Sequence, residues 1–424
     1  MRVCHVTNGL PGLHHEAGGA EHVALRMIEL TAESGHEVAV CCRATDMERE
    51  FPWRVQPLTT LLDRTQGQTQ ARLRSLCQLY NPFVREQAHG VARFLDEWQP
   101  DLIHFHKFDR LGMGLVRAAL ARQLPTVWSV YDYWAFCPNE MLVDREGAYC
   151  RRGQGLHCSE CLQLPPRFRS LRKLMLRRRK RRLLGPLQQV DLVLTLSQAS
   201  AEVAAEHGIA SDRIQVLRQP YPVSQVAAAD PAQADPHLIV FAGWLIPKKG
   251  IHVLLAAMRQ VLTALPETRL HVLGMPGTPE DEERIREALR DPVLAAAVTV
   301  QGKVSHEELL GWLRKAAVVA IPEQWHNMSP VIMVEAMAVG RPVVATRAGG
   351  IPEFMDEAKT GLLFDMTRED ALATALVEVL SDPDRGGRMG TAARERALEL
   401  FDTPVIRDRC EHLYQNLLRD RPTS

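Results

Sequence analysis

No stretch of this chain approaches the roughly 18 consecutive apolar residues of an ordinary membrane span, which excludes such a span and leaves peripheral membrane contact open. An excess of one charge is also missing. The 51 Lys and Arg residues balance 51 Asp and Glu, so no overall basic field marks a nucleic-acid binder. Cysteine is sparse at nine residues, too few for a disulfide scaffold in a chain this long. No cationic leader precedes an apolar run and a small-residue cleavage site, so the expected location is cytoplasmic. Short-period repeats are absent as well.

What is present is length: 424 residues, 46% of them hydrophobic, exceed the size at which a single core keeps growing, and two domains follow. The run RVCHVT at 2–7, a loop with Gly18 and Gly19, a helical pattern over 20–34 and the run EVAVCC at 37–42 form a parallel βαβ unit. Apolar runs at 101–105, 126–130, 190–196 and 214–217 extend that sheet. The segment 227–236, rich in Ala, Asp and Pro, reads as a connector. Beyond it a second doubly wound series has strands at 237–243, 269–274, 298–302, 317–322, 342–346 and 361–365. The expected organisation is a Rossmann-like domain over 1–226, the connector 227–236, a second Rossmann-like domain over 237–400, and a final amphipathic helix and tail over 401–424. Two such domains facing each other place the carboxyl ends of both sheets around a central cleft.

The string GWLIPKKGIHVLLAAM at 243–258 sets Lys248 and Lys249 beside Gly250, where a helix opens. Lysines at a helix N-terminus suit a phosphate, through charge and through unsatisfied N–H groups; a solvated lysine pair gives the same pattern. The string MSPVIMVEAMAVGRPVVATRAGGIPEFM at 328–355 places Glu335 in an apolar helix, ahead of Gly349 and Gly350. A carboxylate in that setting needs a partner, and sugar hydroxyls are suitable ones.

At these residues the sequence resembles the retaining GT4 family of glycosyltransferases, whose fold, GT-B, has two facing Rossmann-like domains and a C-terminal helix that crosses back to the first. The matches run in order along nearly the whole chain: the Gly-Gly-Ala-Glu loop at 18–21, the Lys-Gly turn at 249–250, the Glu-Ala-Met helix at 335–337, Gly-Gly-Ile-Pro-Glu at 349–353 and Lys-Thr-Gly-Leu-Leu-Phe at 359–364. The resemblance implies an acceptor-side first domain and a second domain that binds a nucleoside diphosphate sugar. Gly18 and Gly19 then approach the donor diphosphate, and Lys249, assisted by Lys248, neutralises it. Glu335 accepts hydrogen bonds from the ribose, Val304 lies beside the base, and Gly349, Gly350 and Ile351 form backbone near the donor. The implied reaction is retaining transfer of a hexose to an acceptor hydroxyl in glycan, polysaccharide or glycolipid synthesis, with no catalytic metal required.

Three positions depart from the family pattern. Where the family has His-Asp-Tyr-Trp, this chain has Tyr131, Asp132, Tyr133 and Trp134. A phenol donates a hydrogen bond but is a poor base near neutrality. Trp244 stands in place of an arginine, and Asn327 in place of the first glutamate of a pair. Glu323 lies four residues too early to fill that place by spacing. Lys249, Tyr131, Asp132 and Asn327 are therefore the catalytic candidates, and a nucleotide-sugar-binding homologue with little or no turnover stands as the alternative.

Two features lie outside these motifs. Cys137, Cys150, Cys158 and Cys161 have the spacing C-x12-C-x7-C-x2-C of a structural zinc site, with His157 as a substitute ligand. An iron–sulfur cluster, free thiols and disulfides are the other readings. Ten Lys or Arg residues and no acid occupy 167–182, interspersed with leucines. That composition fits either an anionic membrane surface with a lipid-linked acceptor or a solvated basic face. No nucleic-acid partner is expected.

Overall fold

A computed structural model describes residues 1–14, 18–44, 50–59, 85–144, 146, 148–152, 154–155, 157–162, 169–230 and 233–419. Parts of five expected features fall outside them: residues 83–84 of a helical pattern over 83–98, residues 145, 147, 153 and 156 of the cysteine insertion, Arg167 and Phe168 of the basic stretch, residues 231–232 of the connector and the tail from 420.

The chain divides into two compact units, Met1–Pro220 with Ile406–Ser424, and Tyr221–Val405. In the first, seven short strands pair in parallel, β1 (Arg2–Val6), β2 (Glu37–Arg43), β3 (Arg54–Leu58), β4 (Leu102–Phe105), β5 (Thr126–Val130), β6 (Leu192–Thr195) and β7 (Ile214–Val216). Their order across the sheet is β3-β2-β1-β4-β5-β6-β7. Parallel neighbours need crossovers, and these carry α1 (Gly19–Glu33), α2 (Arg85–Trp98), α3 (Gly114–Ala121), α4 (Cys158–Cys161), α5 (Arg169–Leu187) and α6 (Gln198–Glu206). Ser197 caps α6, its hydroxyl accepting from the Ser200 N–H at 3.2 Å.

The second unit repeats the plan with six strands, β8 (Leu238–Ala242), β9 (Arg269–Leu273), β10 (Val298–Gly302), β11 (Val318–Ile321), β12 (Val343–Thr346) and β13 (Gly361–Phe364), in the order β10-β9-β8-β11-β12-β13. Its helices are α7 (Ile251–Ala264), α8 (Pro279–Ala288), α9 (Pro292–Ala297), α10 (His306–Lys315), α11 (Val331–Ala338), α12 (Ile351–Phe354), α13 (Ala371–Leu380) and α14 (Pro383–Phe401). Alternation along β8 sends Ile239 and Phe241 into one core with α7 and α13, and Leu238 and Val240 into another with α11 and α14. Both sheets are thus covered on two faces by helices, the Rossmann-like arrangement.

The last helix, α15 (Thr403–Arg419), places Ile406, Cys410 and Tyr414 in a core with Val3, Met27 and Leu102 of the first unit. Their spacing of four residues puts those side chains on one stripe. Among the described residues no helix is long and apolar enough to cross a membrane.

Candidate functional site

In a doubly wound sheet the ligand crevice lies outside the carboxyl ends of the strands, where the strand order reverses. In the second unit that point falls between β8 and β11. The chain leaving β8 makes one tight turn, Pro247–Lys249, and enters α7 through Gly250 at φ 76°. A Cβ at Gly250 would sit 1.7 Å from the Pro322 carbonyl oxygen, so only glycine allows the loop after β11 to lie directly on the lysine turn. The Gln324 N–H donates to the Lys248 carbonyl at 2.8 Å and stitches the two together.

This approach brings Lys249 Nζ to 2.6 Å from Glu323 Oε1. The other Glu323 oxygen accepts from the Trp325 indole N–H, so a carboxylate only 2% exposed has both oxygens engaged. The Trp325 ring in turn lies 5.3 Å from Lys248 Nζ and 5.9 Å from Lys249 Nζ. Trp244, three residues before the same turn, is 55% exposed.

Asn327 extends the site toward the loop after β12. Its carbonyl accepts from the Gly350 N–H at 2.8 Å, and a Cβ at Gly349, φ 59°, would meet that carbonyl oxygen at 2.1 Å. The Asn327 side chain is turned to local use, Oδ1 accepting from the Ser329 N–H at 3.1 Å just ahead of α11. Glu335 is buried within that helix, and His306 Nε2 lies 3.0 Å from its Oε1. Val304, half-buried, precedes His306 by two residues, and Ile351 is fully buried at the start of α12. Lys248, Lys249, Val304, Asn327, Glu335, Gly349, Gly350 and Ile351 therefore all belong to the second unit, whereas Gly18, Gly19, Tyr131 and Asp132 belong to the first.

In the first unit, Gly18 and Gly19 begin α1, and the Glu21 carboxylate accepts from the Gly18 N–H at 3.0 Å. The reversal between β1 and β4 holds a buried histidine network. His5 Nδ1 lies 2.8 Å from His106 Nε2, and His106 Nδ1 lies 3.0 Å from the Tyr131 hydroxyl. His104 bridges the Tyr414 and Ser129 hydroxyls at 2.6 and 2.7 Å. Burial pushes His5 down to about 3 and holds His104 and His106 well below the usual imidazole range, so all three are neutral. These three histidines also bring ligand atoms within 4.8 Å of one another, but both His104 nitrogens are already occupied by hydroxyls. Burial raises the Tyr131 phenol above its ordinary range.

Asp132 is tied up beside this network. One oxygen pairs with Lys107, and the other accepts from the Trp134 N–H at 3.1 Å. Burial opposes the charge on Lys107, but Asp109, Asp132 and Glu140 together outweigh it and hold the ammonium well above its ordinary value.

The insertion after Trp134 gathers Cys137, Cys150, Cys158, Cys161 and His157 around one cavity of about 10 Å³. All four thiols are free of disulfides. His157 Nε2 lies 3.6 Å from Cys158 Sγ and 3.8 Å from Cys150 Sγ. The neighbouring α5 buries Leu176, Arg179, Leu183 and Leu187, and Arg179 Nη2 donates to the Trp134 carbonyl at 2.6 Å. Arg177, Arg178, Lys180 and Arg181 point outward, and none pairs with a described acid.

The geometry adds residues that motif spacing did not select. Glu323 reaches Lys249 through strand order instead of sequence spacing, and His306 reaches Glu335 from a different helix. The histidine network left one trace, the alternation His104-Phe105-His106 at the end of a strand.

Comparisons with known proteins agree on both units. The model described as Glycosyltransferase Family 4 matches residues 17–224, and that described as Glycosyl transferases group 1 matches residues 226–396. Over 171 residues the chain is 34% identical to a GDP-mannose-dependent alpha-(1-6)-phosphatidylinositol monomannoside mannosyltransferase of Mycolicibacterium smegmatis, covering 39% of this chain and 44% of that protein. Over 210 residues it is 30% identical to a glycogen synthase of Mycobacterium tuberculosis, covering 50% of this chain and 48% of that one. The chain thus spans about half the length of the curated relatives it matches. Among solved structures, HepE of Anabaena in complex with UDP-glucose has a TM-score of 0.70 at 17% identity, covering 98% of this chain and 100% of that chain. Sucrose-phosphate synthase of Thermosynechococcus elongatus has a TM-score of 0.72 at 20% identity, covering 99% and 100%. At these identities the likeness shows the fold, GT-B.

Proposed function

The chain belongs to the family 4 glycosyltransferases, and from that membership we propose that it transfers a hexose from a nucleoside diphosphate sugar to an acceptor hydroxyl with retention at the anomeric carbon. The observation that carries this reading is the Lys249 turn lying against the Glu323–Asn327 loop at the strand reversal of the second unit. Two ammonium groups and the N–H groups opening α7 form a site for a diphosphate. Gly349, Gly350 and Ile351 supply backbone beside it. Glu335 accepts from the ribose hydroxyls, taking them in place of His306, and Val304 packs against the base.

In the transfer, the bond from the anomeric carbon to the diphosphate oxygen breaks as the acceptor oxygen bonds to that carbon from the same face. The acceptor proton passes to the departing phosphate oxygen, and Lys249 stabilises the charge that develops there. This assigns no proton transfer to Tyr131, whose hydroxyl meets His106, or to Asp132, which is paired with Lys107. A panel of UDP-, GDP- and ADP-sugars tests the reading by thermal unfolding. The correct donor at about 100 times its Kd adds about 2.7 kcal/mol of stability; no response to any of them refutes donor binding.

The cysteine insertion is read as a structural zinc site. Bond lengths of about 2.3 Å to sulfur and about 2.0 Å to nitrogen give a tetrahedral S···N edge of about 3.5 Å, near the 3.6 and 3.8 Å that separate His157 from Cys158 and Cys150. The zinc orders the loop and activates no water, because a closed protein ligand set leaves no open position.

The outward face of α5 is read as a contact for anionic lipid. Four exposed cations without acidic partners beside Leu174, 47% exposed, match headgroup phosphates and the upper acyl region. A lipid-linked acceptor on the inner face of the plasma membrane fits that contact, and the Mycolicibacterium smegmatis relative is named for a phosphatidylinositol mannoside acceptor.

A further inference from the structure

The ion pair between Lys249 and Glu323 is more deliberate than a chance surface contact. Glu323 is 2% exposed, sits at the end of a central strand and spends both oxygens inside the site, one on Lys249 and one on the indole N–H of Trp325. The Lys249 side chain stays 23% exposed, so its ammonium is held from behind by the carboxylate and still open to solvent in front. An ammonium has three donors, and Glu323 takes one of them. The same loop carries the Asn327 carbonyl that accepts from the Gly350 N–H at 2.8 Å.

We infer that Glu323 is the positioning residue of the donor site. With Trp325 as its own anchor, it locks the flexible Lys249 side chain into the orientation that meets the departing diphosphate. Lysine carries four rotatable bonds, and a preset rotamer spares the ordering cost at the moment charge develops. Glu323 touches neither the sugar nor the phosphate and acts only through Lys249. This role rests on the donor-binding reading given above.

The test is a double-mutant cycle on the purified full chain, using the sugar nucleotide that protects it from thermal unfolding and following release of the nucleoside diphosphate. Glu323→Gln keeps the shape and removes the charge. The expected result is a fall in kcat of about tenfold or more with the donor KM changed less than about threefold, the signature of an interaction that matters in the transition state. In a Lys249→Met background the same substitution is expected to change kcat by less than about twofold, because the group through which it acts is gone. Trp325→Phe, which keeps the ring and loses only the N–H, is expected to give a smaller fall that also vanishes with Lys249→Met; it serves if Glu323→Gln does not fold. Glu323→Asp is expected to recover part of the rate. Equal falls in both backgrounds, or unchanged kcat in Glu323→Gln, overturn the role while donor protection stands. Lack of protection of the wild type by any nucleotide sugar removes the donor reading itself and this role with it.

Discussion

His306 closes over Glu335 with its Nε2 3.0 Å from the carboxylate Oε1, joining a side chain 54% exposed to one 7% exposed. In the donor complex proposed above, a ribose hydroxyl takes the oxygen that the imidazole occupies. His306→Ala should therefore lower unfolding stability by about 1 kcal/mol while leaving nucleotide affinity unchanged or tighter, because a competitor is removed. Glu335→Gln should weaken nucleotide binding about tenfold or more, since a charged acceptor becomes a neutral one. Calorimetric titration with the protecting nucleotide checks both. Equal loss of affinity in the two variants would assign the pair to folding alone.

The turn at Gly250 allows a controlled test of backbone strain. Gly250 has φ 76° with the Pro322 carbonyl where a Cβ would be, whereas Gly35 has φ 81° and nothing within 4 Å. Gly35→Ala should cost about 1 kcal/mol, the left-handed penalty alone. Gly250→Ala must also separate the lysine turn from the β11 loop, so it should cost at least about 2 kcal/mol more and abolish nucleotide protection. Urea unfolding of both variants gives the comparison. Matching costs would show that the close approach at Pro322 does not constrain the turn.

These constraints mark where the sequence was legible. Runs such as HLIVFAG and PVVAT are apolar enough to be read as strands buried on both faces, and twelve of the thirteen strands follow from them. The exception is β3, Arg54–Leu58, whose RVQPL carries a proline and polar residues because it lies at the sheet edge. The charged helix α8, PEDEERIREA, escaped for the opposite reason, as it buries little. Lys249 and Glu335 were visible because they sit in local patterns. Glu323 was not, because its place is set by the adjacency of β8 and β11, strands 75 or more residues apart in the chain and side by side in the sheet.

The buried histidines make stability fall in acid. Each has a folded-state value depressed below the ordinary value of about 6.5, and His5 is brought down to about 3 by burial. Below about pH 6.5 the unfolded chain takes up protons that the folded chain refuses. The contribution is therefore complete above that pH and is lost as pH falls toward 3, at up to about 1.4 kcal/mol per pH unit for each histidine. Urea midpoints at pH 8, 6.5 and 5 should show a plateau between the first two and a drop at the third. His5→Asn should flatten the drop, and an unchanged acid limb in that variant would remove His5 from its origin.

Metal analysis of freshly purified protein should find about one zinc per chain, and the ligand set can be resolved by substitution. His157→Ala removes a nitrogen lying 3.6 and 3.8 Å from two thiols. If three cysteines and His157 hold the ion, this variant should lose zinc about as readily as Cys158→Ser; if four cysteines hold it, it should keep its full complement. Loss of metal should expose the 137–161 insertion to proteolysis while leaving the second unit intact, since ordering of such a loop depends on the ion. Zinc near zero in unchelated wild type would leave the insertion to free thiols.

Membrane contact through α5 makes a prediction that separates it from a solvated basic face. Arg177, Arg178, Lys180 and Arg181 share the exposed side of the helix, while Arg179 is buried and donates to the Trp134 carbonyl. Attraction to an anionic surface is worth about 1 kcal/mol for each cation near it. Replacing the four exposed cations by Gln should therefore weaken flotation with vesicles of phosphatidylcholine and phosphatidylserine at least about a hundredfold and leave thermal stability within about 1 kcal/mol of wild type. Arg179→Gln should do the reverse, lowering stability through the lost buried hydrogen bond with little effect on flotation. High salt should release the wild type from the vesicles, because the attraction is screened within a Debye length. Binding that survives both the fourfold substitution and high salt would assign the attachment to another surface, and wild type that never floats would leave α5 a solvated face packed on its leucines.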